Sequence, residues 1–177
     1  MKTLSIHLEK NNKHHFAIRV VITILSFWLL VANTTVAQNS WLGGTPGAET
    51  EWNNPKNWSE NRVPDWRDDV VIIGNVSSQS GHFPKVTEKT PEISHLRLDG
   101  GATLTIEKEG SLIVNGANTH NYGIVNVGTL VNYGFVSIEN TALPALENLE
   151  NRIINRGAIA LIDYTHNTTY LATTEDF

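Results

Sequence analysis

The sequence predicts an all-β fold: a single-stranded parallel β-helix, or solenoid, with a Trp/Pro/Asn-rich cap at its N-terminal end. Two patterns predict it. The first is a ladder of three-residue pieces, Leu96-x-Leu98, Leu104-x-Ile106 and Leu112-x-Val114, recurring every eight residues. It continues through Ile124-x-Asn126, Leu130-x-Asn132, Val136-x-Ile138 and Ile159-x-Leu161. Strands this short cannot bury a face alone, yet stacked as rungs they share one continuous core. The second is Asn-x-Gly between the pieces, with Asn121, Asn126, Asn132 and Asn155 as the expected corner residues. Asn and Gly tolerate positive φ, which tight corners demand, and Asn side chains at equivalent corners can stack on the next rung. The chain has no cysteine, so stability must come from burial and backbone hydrogen bonds, which a solenoid satisfies rung by rung.

Residues 1–37 read as a secretory signal peptide. Lys2, Lys10, Lys13 and Arg19 oppose the single acid Glu9, residues 20–32 are almost wholly apolar, and small residues lead to a cut near Ala37. The apolar run is short of the roughly 20 residues that a membrane span needs. No cysteine follows it to carry the lipid of a lipoprotein. The expected location is therefore secreted or at the outer cell surface, with no membrane contact after signal removal. That removal leaves 9 of the 13 Lys+Arg and 17 of the 18 Asp+Glu, a net charge of 9 − 17 = −8. Such an acidic surface argues against nucleic acid as partner.

Residues 38–68 are dense in Trp, Asn, Pro and Gly, which forbids a long helix or strand there and marks a cap. Residues 69–163 carry the coils, beginning with the buried run Val70-Val71-Ile72-Ile73. At about three pieces per coil, residues 93–163 make three or four coils. Residues 141–151 break the rhythm and read as a loop or short helical excursion, with Ile153-Ile154 resuming the ladder. Residues 164–177 are expected to be a polar tail that weakly shields the last rung, whose edge invites self-association or continuation into further coils.

The run Trp41-Leu-Gly-Gly, Glu51-Trp52-Asn53-Asn54-Pro55-Lys56-Asn57-Trp58-Ser59, Val63-Pro64 and Asp68-Asp69-Val70-Val71-Ile72 resembles the head of large exported, adhesin-like surface proteins of Bacteroidetes-type bacteria. The continuation Gly101-Ala102-x-Leu104-x-Ile106 and Gly110-x-Leu112-x-Val114-x-Gly116 fits the same pattern. The resemblance covers roughly residues 40–140. It implies secretion, a right-handed parallel β-helix and a surface or matrix role. Those proteins run for many hundreds of residues and end in a sorting domain, whereas this chain stops at Phe177 without one.

Candidate sites are few. Trp52 and Trp58 are the side chains suited to stacking on sugar rings, with an extracellular glycan or matrix as the partner. The competing role, favoured by the place of the motif at the head of a β-helix, is a structural cap made of Trp41, Trp52, Trp58 and Trp66. Asp65, Asp68 and Asp69 with Glu60 are rich in oxygen for Ca²⁺, but match no calcium-loop spacing and are better suited to bonding loop N–H groups. Glu107, Lys108 and Glu109 share one corner and Asp163 stands alone, so no carboxylate pair recurs one coil apart as a catalytic groove would require. His82, His95, His120 and His166 lack metal-ligand spacing. Asn57-Trp58-Ser59, Asn75-Val76-Ser77 and Asn167-Thr168-Thr169 match the N-glycosylation pattern, a coincidence in a bacterial chain. The expected function is a non-catalytic, structural or adhesin-like surface module with no cofactor or metal. The alternative is a carbohydrate-binding module or the front end of a polysaccharide-degrading β-helix enzyme.

Overall fold

The computed structural model describes residues 37–72, 81–116, 122–141, 144–149, 152–163 and 168–172. The expected signal peptide and its apolar run, residues 1–36, lie outside the described residues. Apart from a 3-10 turn at Pro55–Asn57, every named element is a strand. No helix among the described residues is long and apolar enough to cross a membrane.

The strands are β1 (Ala37–Ser40), β2 (Asp68–Ile72), β3 (Lys85–Val86), β4 (His95–Leu98), β5 (Thr103–Ile106) and β6 (Ser111–Asn115). They continue as β7 (Ile124–Asn126), β8 (Thr129–Asn132), β9 (Phe135–Glu139), β10 (Leu146–Asn148), β11 (Ile153–Asn155), β12 (Ala158–Asp163) and β13 (Thr168–Ala172). Three sheets result, in the orders β1-β2-β4-β7-β10, β3-β5-β8-β11 and β6-β9-β12-β13. Each turn of chain places one strand in each sheet, so β4-β5-β6, β7-β8-β9 and β10-β11-β12 are three complete turns of a parallel β-solenoid.

Register explains why the ladder of the sequence works. Leu96 pairs with Ile124 and Ile124 with Leu146; Leu104 pairs with Leu130 and Leu130 with Ile153; Leu112 pairs with Val136 and Val136 with Ile159. Like sits on like, and alternate residues of β4, β5 and β6 are buried. Removing each such Leu, Ile or Val from water contributes about 1.5–3 kcal/mol. The core they line is one cluster running from the three tryptophans Trp41, Trp52 and Trp58 to Ile159.

Three expectations need correction. Residues 141–151 are not an excursion: Leu146–Asn148 is β10, a full rung paired in parallel with β7. Thr-Ala-Leu-Pro conceals it, because the Leu-x-Asn piece lacks a glycine partner after it. The tail is not merely polar cover, because β13 turns back and pairs antiparallel with β12, Leu161 opposite Tyr170. That closes the outer edge of the third sheet with a strand of opposite direction. Lastly, Asn126, Asn132 and Asn155 are not left-handed corners; positive φ among non-glycine residues occurs at Asn61 and Asn140. They are the last residues of β7, β8 and β11, with buried side chains. Asn121 lies outside the described residues.

The glycine of the motif has a different cause as well. A Cβ on Gly128 would sit 2.5 Å from Ala102 O and 2.7 Å from Asp99 O, in the corner of the turn below. Gly134 meets Glu107 O and Gly110 O in the same way. Stacked corners approach so closely that only hydrogen fits, and no positive φ is involved.

Candidate functional site

The N-terminal region closes the first rung. β1 extends the first sheet below β2 through Asn39 opposite Val70. Glu51 bridges Lys85 in parallel, with Lys85 N donating to Thr50 O (2.7 Å) and Trp52 N to Lys85 O (3.2 Å), so this segment extends the second sheet below β3. Between these two flanks stand Trp41, Trp52 and Trp58, 0%, 1% and 0% exposed. Trp58 meets both others edge-to-face, with ring centroids 4.9 Å from Trp41 and 4.7 Å from Trp52. Trp58 Nε1–H donates to Trp52 O (2.7 Å) and Trp41 Nε1–H to His82 O (2.8 Å). The expectation that Trp52 and Trp58 contact glycan is therefore corrected: indoles with no accessible face cannot stack on a sugar.

Asn57 braces the same loop. Its Nδ2 donates to Ala48 O (2.7 Å) and Glu51 O (3.0 Å), and its Oδ1 accepts from Thr45 N (3.0 Å). Fully buried, it offers no nitrogen for glycosylation.

Trp66, the fourth expected cap residue, is 57% exposed and does not join the other three. The Arg67 guanidinium lies 6.0 Å from the centre of its ring. Asp65 and Asp68 are taken by arginines, not arranged for a cation. Asp68, buried, receives both terminal nitrogens of Arg62, and Asp65 receives Arg67 through Nε (2.9 Å) and Nη2 (2.6 Å). The hydrogen bonds from Arg67 hold the Asp65 carboxyl at about 2, well below its ordinary value. Hydrogen bonding to Asp68 pushes the Arg62 guanidinium up. Among the described residues no three His, Cys, Asp or Glu side chains converge. His95 Nδ1 lies 2.6 Å from Tyr122 O.

The strand-end asparagines form ladders inside the wall. Asn132 Nδ2 donates to Asn155 Oδ1 (2.7 Å) and Ala158 O (3.1 Å), while its own Oδ1 accepts from Gly134 N (3.1 Å). Asn126 Nδ2 donates to Asn148 Oδ1 (2.8 Å). The Asn132 amide thus satisfies a corner that would otherwise leave buried backbone groups unpaired, whereas Asn126 Oδ1 is buried without a partner.

These ladders aim the residue between Asn and Gly outward, and that produces a site the individual residues do not announce. Tyr133 N donates to Ile106 O (2.8 Å) and Arg156 N to Asn132 O. Glu107, Tyr133 and Arg156 thus occupy equivalent positions at one corner of three successive turns. With Lys108 they line a solvent-open groove of about 420 Å³. Tyr133 is 40% exposed there. Glu107 and Lys108 read in the sequence as a solvated turn; Tyr133 and Arg156 carry no signal of their own, because each sits alone in its Asn-x-Gly. The signal that finds them is the middle residue of that motif, read one coil apart. Set against known proteins, the chain matches no protein-family model, no curated protein and no solved structure.

Proposed function

We propose that this chain is an exported, non-catalytic β-solenoid module with a structural, adhesin-like role outside the cell or on its surface. The observation that carries the reading is the use of its polar groups. Asn ladders, the Arg62–Asp68 and Arg67–Asp65 pairs and the braced Asn57 are spent on holding the wall and its cap together. A stack of hydrogen-bonded rungs with a plugged first turn is a stiff spacer that presents its corners and faces to the surroundings. The basic start, apolar run and small-residue exit support export, and a cut after Ala37 would leave Gln38–Ser40 to pair with β2. The Trp-rich head supports kinship with exported surface proteins of Bacteroidetes-type bacteria.

Expression of the full chain in such a bacterium, followed by fractionation and protease shaving of whole cells, tests the reading. The expected product lacks about the first 37 residues, as mass spectrometry of its N-terminus would show, and is found in the medium or accessible to protease on intact cells. A full-length product confined to the cytoplasm would overturn it.

A further inference from the structure

We infer that the corner groove formed by Lys108, Tyr133 and Arg156 binds an acidic saccharide, one whose sugar rings carry carboxylates of the uronic-acid type. The inference takes its setting from the surface-module reading, to which it adds a ligand class.

Charge is the first argument. Among the described residues Arg62, Arg67 and Arg97 each hold an aspartate, whereas neither Lys108 nor Arg156 makes an ion pair. In a chain of net charge −5, two cations against the one carboxylate of Glu107 give the groove a charge of 2 − 1 = +1, a local site for an anion. Arg offers a planar fork matched to a carboxylate, and Lys a point charge beside it.

The aromatic ring is the second. Tyr133 stands between the two cations in the ladder, with its ring exposed where a sugar's C–H face would lie. Glu107, at the rung below, accepts hydrogen bonds from hydroxyl groups. A bare inorganic anion would have no use for the ring, and a polyanion as dense as nucleic acid would be repelled by the chain's overall charge.

Preorganisation is the third. Tyr133 and Arg156 are flanked by Asn132 and Gly134, and by Asn155 and Gly157; the Asn132 amide is tied to the next rung at Asn155 and Ala158, and the Gly134 and Gly157 N–H groups are bonded to the Asn of their own corners. Side chains mounted on a fixed wall lose less freedom on binding than side chains on a loop.

The purified full chain is titrated by calorimetry with a glucuronic acid trimer and with its uncharged match, a glucose trimer of the same linkage. The acidic trimer is expected to bind about tenfold or more tightly than the neutral one, and less tightly as salt rises. Tyr133→Ala should weaken binding of both about tenfold, Tyr133→Trp should restore it, and Arg156→Gln should erase the preference for the acid. Thermal melts of the variants report whether the wall is intact; because these side chains are on the surface, unchanged midpoints are expected. The assignment is overturned if the folded protein binds neither trimer, binds both equally, or is indifferent to Tyr133→Ala and Arg156→Gln. Export plays no part in this measurement, so its failure leaves the surface-module reading standing, and the converse holds too.

Discussion

Trp58 shows how much of this protein rests on single side chains. Its ring is sandwiched edge-on between Trp41 and Trp52, and its indole N–H satisfies the Trp52 carbonyl, so truncation removes packing and a hydrogen bond together. Trp58→Ala should cost about 3–5 kcal/mol of unfolding free energy, measured by denaturant titration, where a surface tryptophan would cost little. Trp66→Ala is the natural contrast. Asp65 gives a second residue-level prediction with a defined sign. Its carboxyl is depressed from 3.8 to about 2 in the folded chain, first by the Arg67 hydrogen bonds, so the stabilisation is complete above 3.8 and is lost as pH falls toward 2. Unfolding midpoints followed down this acid limb should fall more steeply for the native chain than for Asp65→Asn.

At the scale of the element, the strands are individually weak and are defined by what lies above and below. β10 is the clearest case: Leu-Glu-Asn has little strand character, yet Leu146 and Asn148 continue the columns that run through Ile124 and Asn126. Corners obey the same rule. A Cβ on Gly128 would collide with the carbonyls of Asp99 and Ala102, whereas one on Gly100 would meet nothing within 4 Å. Gly128→Ala should therefore destabilise by about 2 kcal/mol while Gly100→Ala stays within about 0.5 kcal/mol of the parent, a comparison that thermal melts of the two variants would settle. The Leu-x-aliphatic pieces were legible in the sequence because side-chain alternation within a strand is local. β10 and β13 were not, since their partners lie a full turn away or across a hairpin.

For the whole molecule, stability must run as a gradient along the stack. β5 and β8 have neighbours on both sides in the second sheet, whereas β11 is its last strand. Native-state hydrogen exchange should find the amides of Leu104 and Leu130 slowest and that of Ile154 markedly faster. Uniform protection through all rungs would contradict a nearest-neighbour stack. The cap contributes at this scale too, because three indoles plug the end of a core that has no disulfide to hold it. The corner groove is likewise a whole-molecule property, since its four side chains come from three different turns.

Composition and local pattern by themselves determined that this is an all-β, stacked, N-terminally capped solenoid, because strand alternation, turn formers and a tryptophan-dense head are properties of neighbouring residues. They singled out Trp41, Trp52, Trp58 and Trp66 as a group, of which Trp66 stays outside the cap, and read Asn126, Asn132 and Asn155 as tight corners, which they are not. Only the tertiary structure decided that the tryptophans are sealed from any sugar, that the asparagines line the inside of the wall, and that Lys108, Tyr133 and Arg156 meet. The physical reason is register: a coil's length varies from turn to turn, so which residue stands on which is set by the packing of the stack and not by distance along the chain.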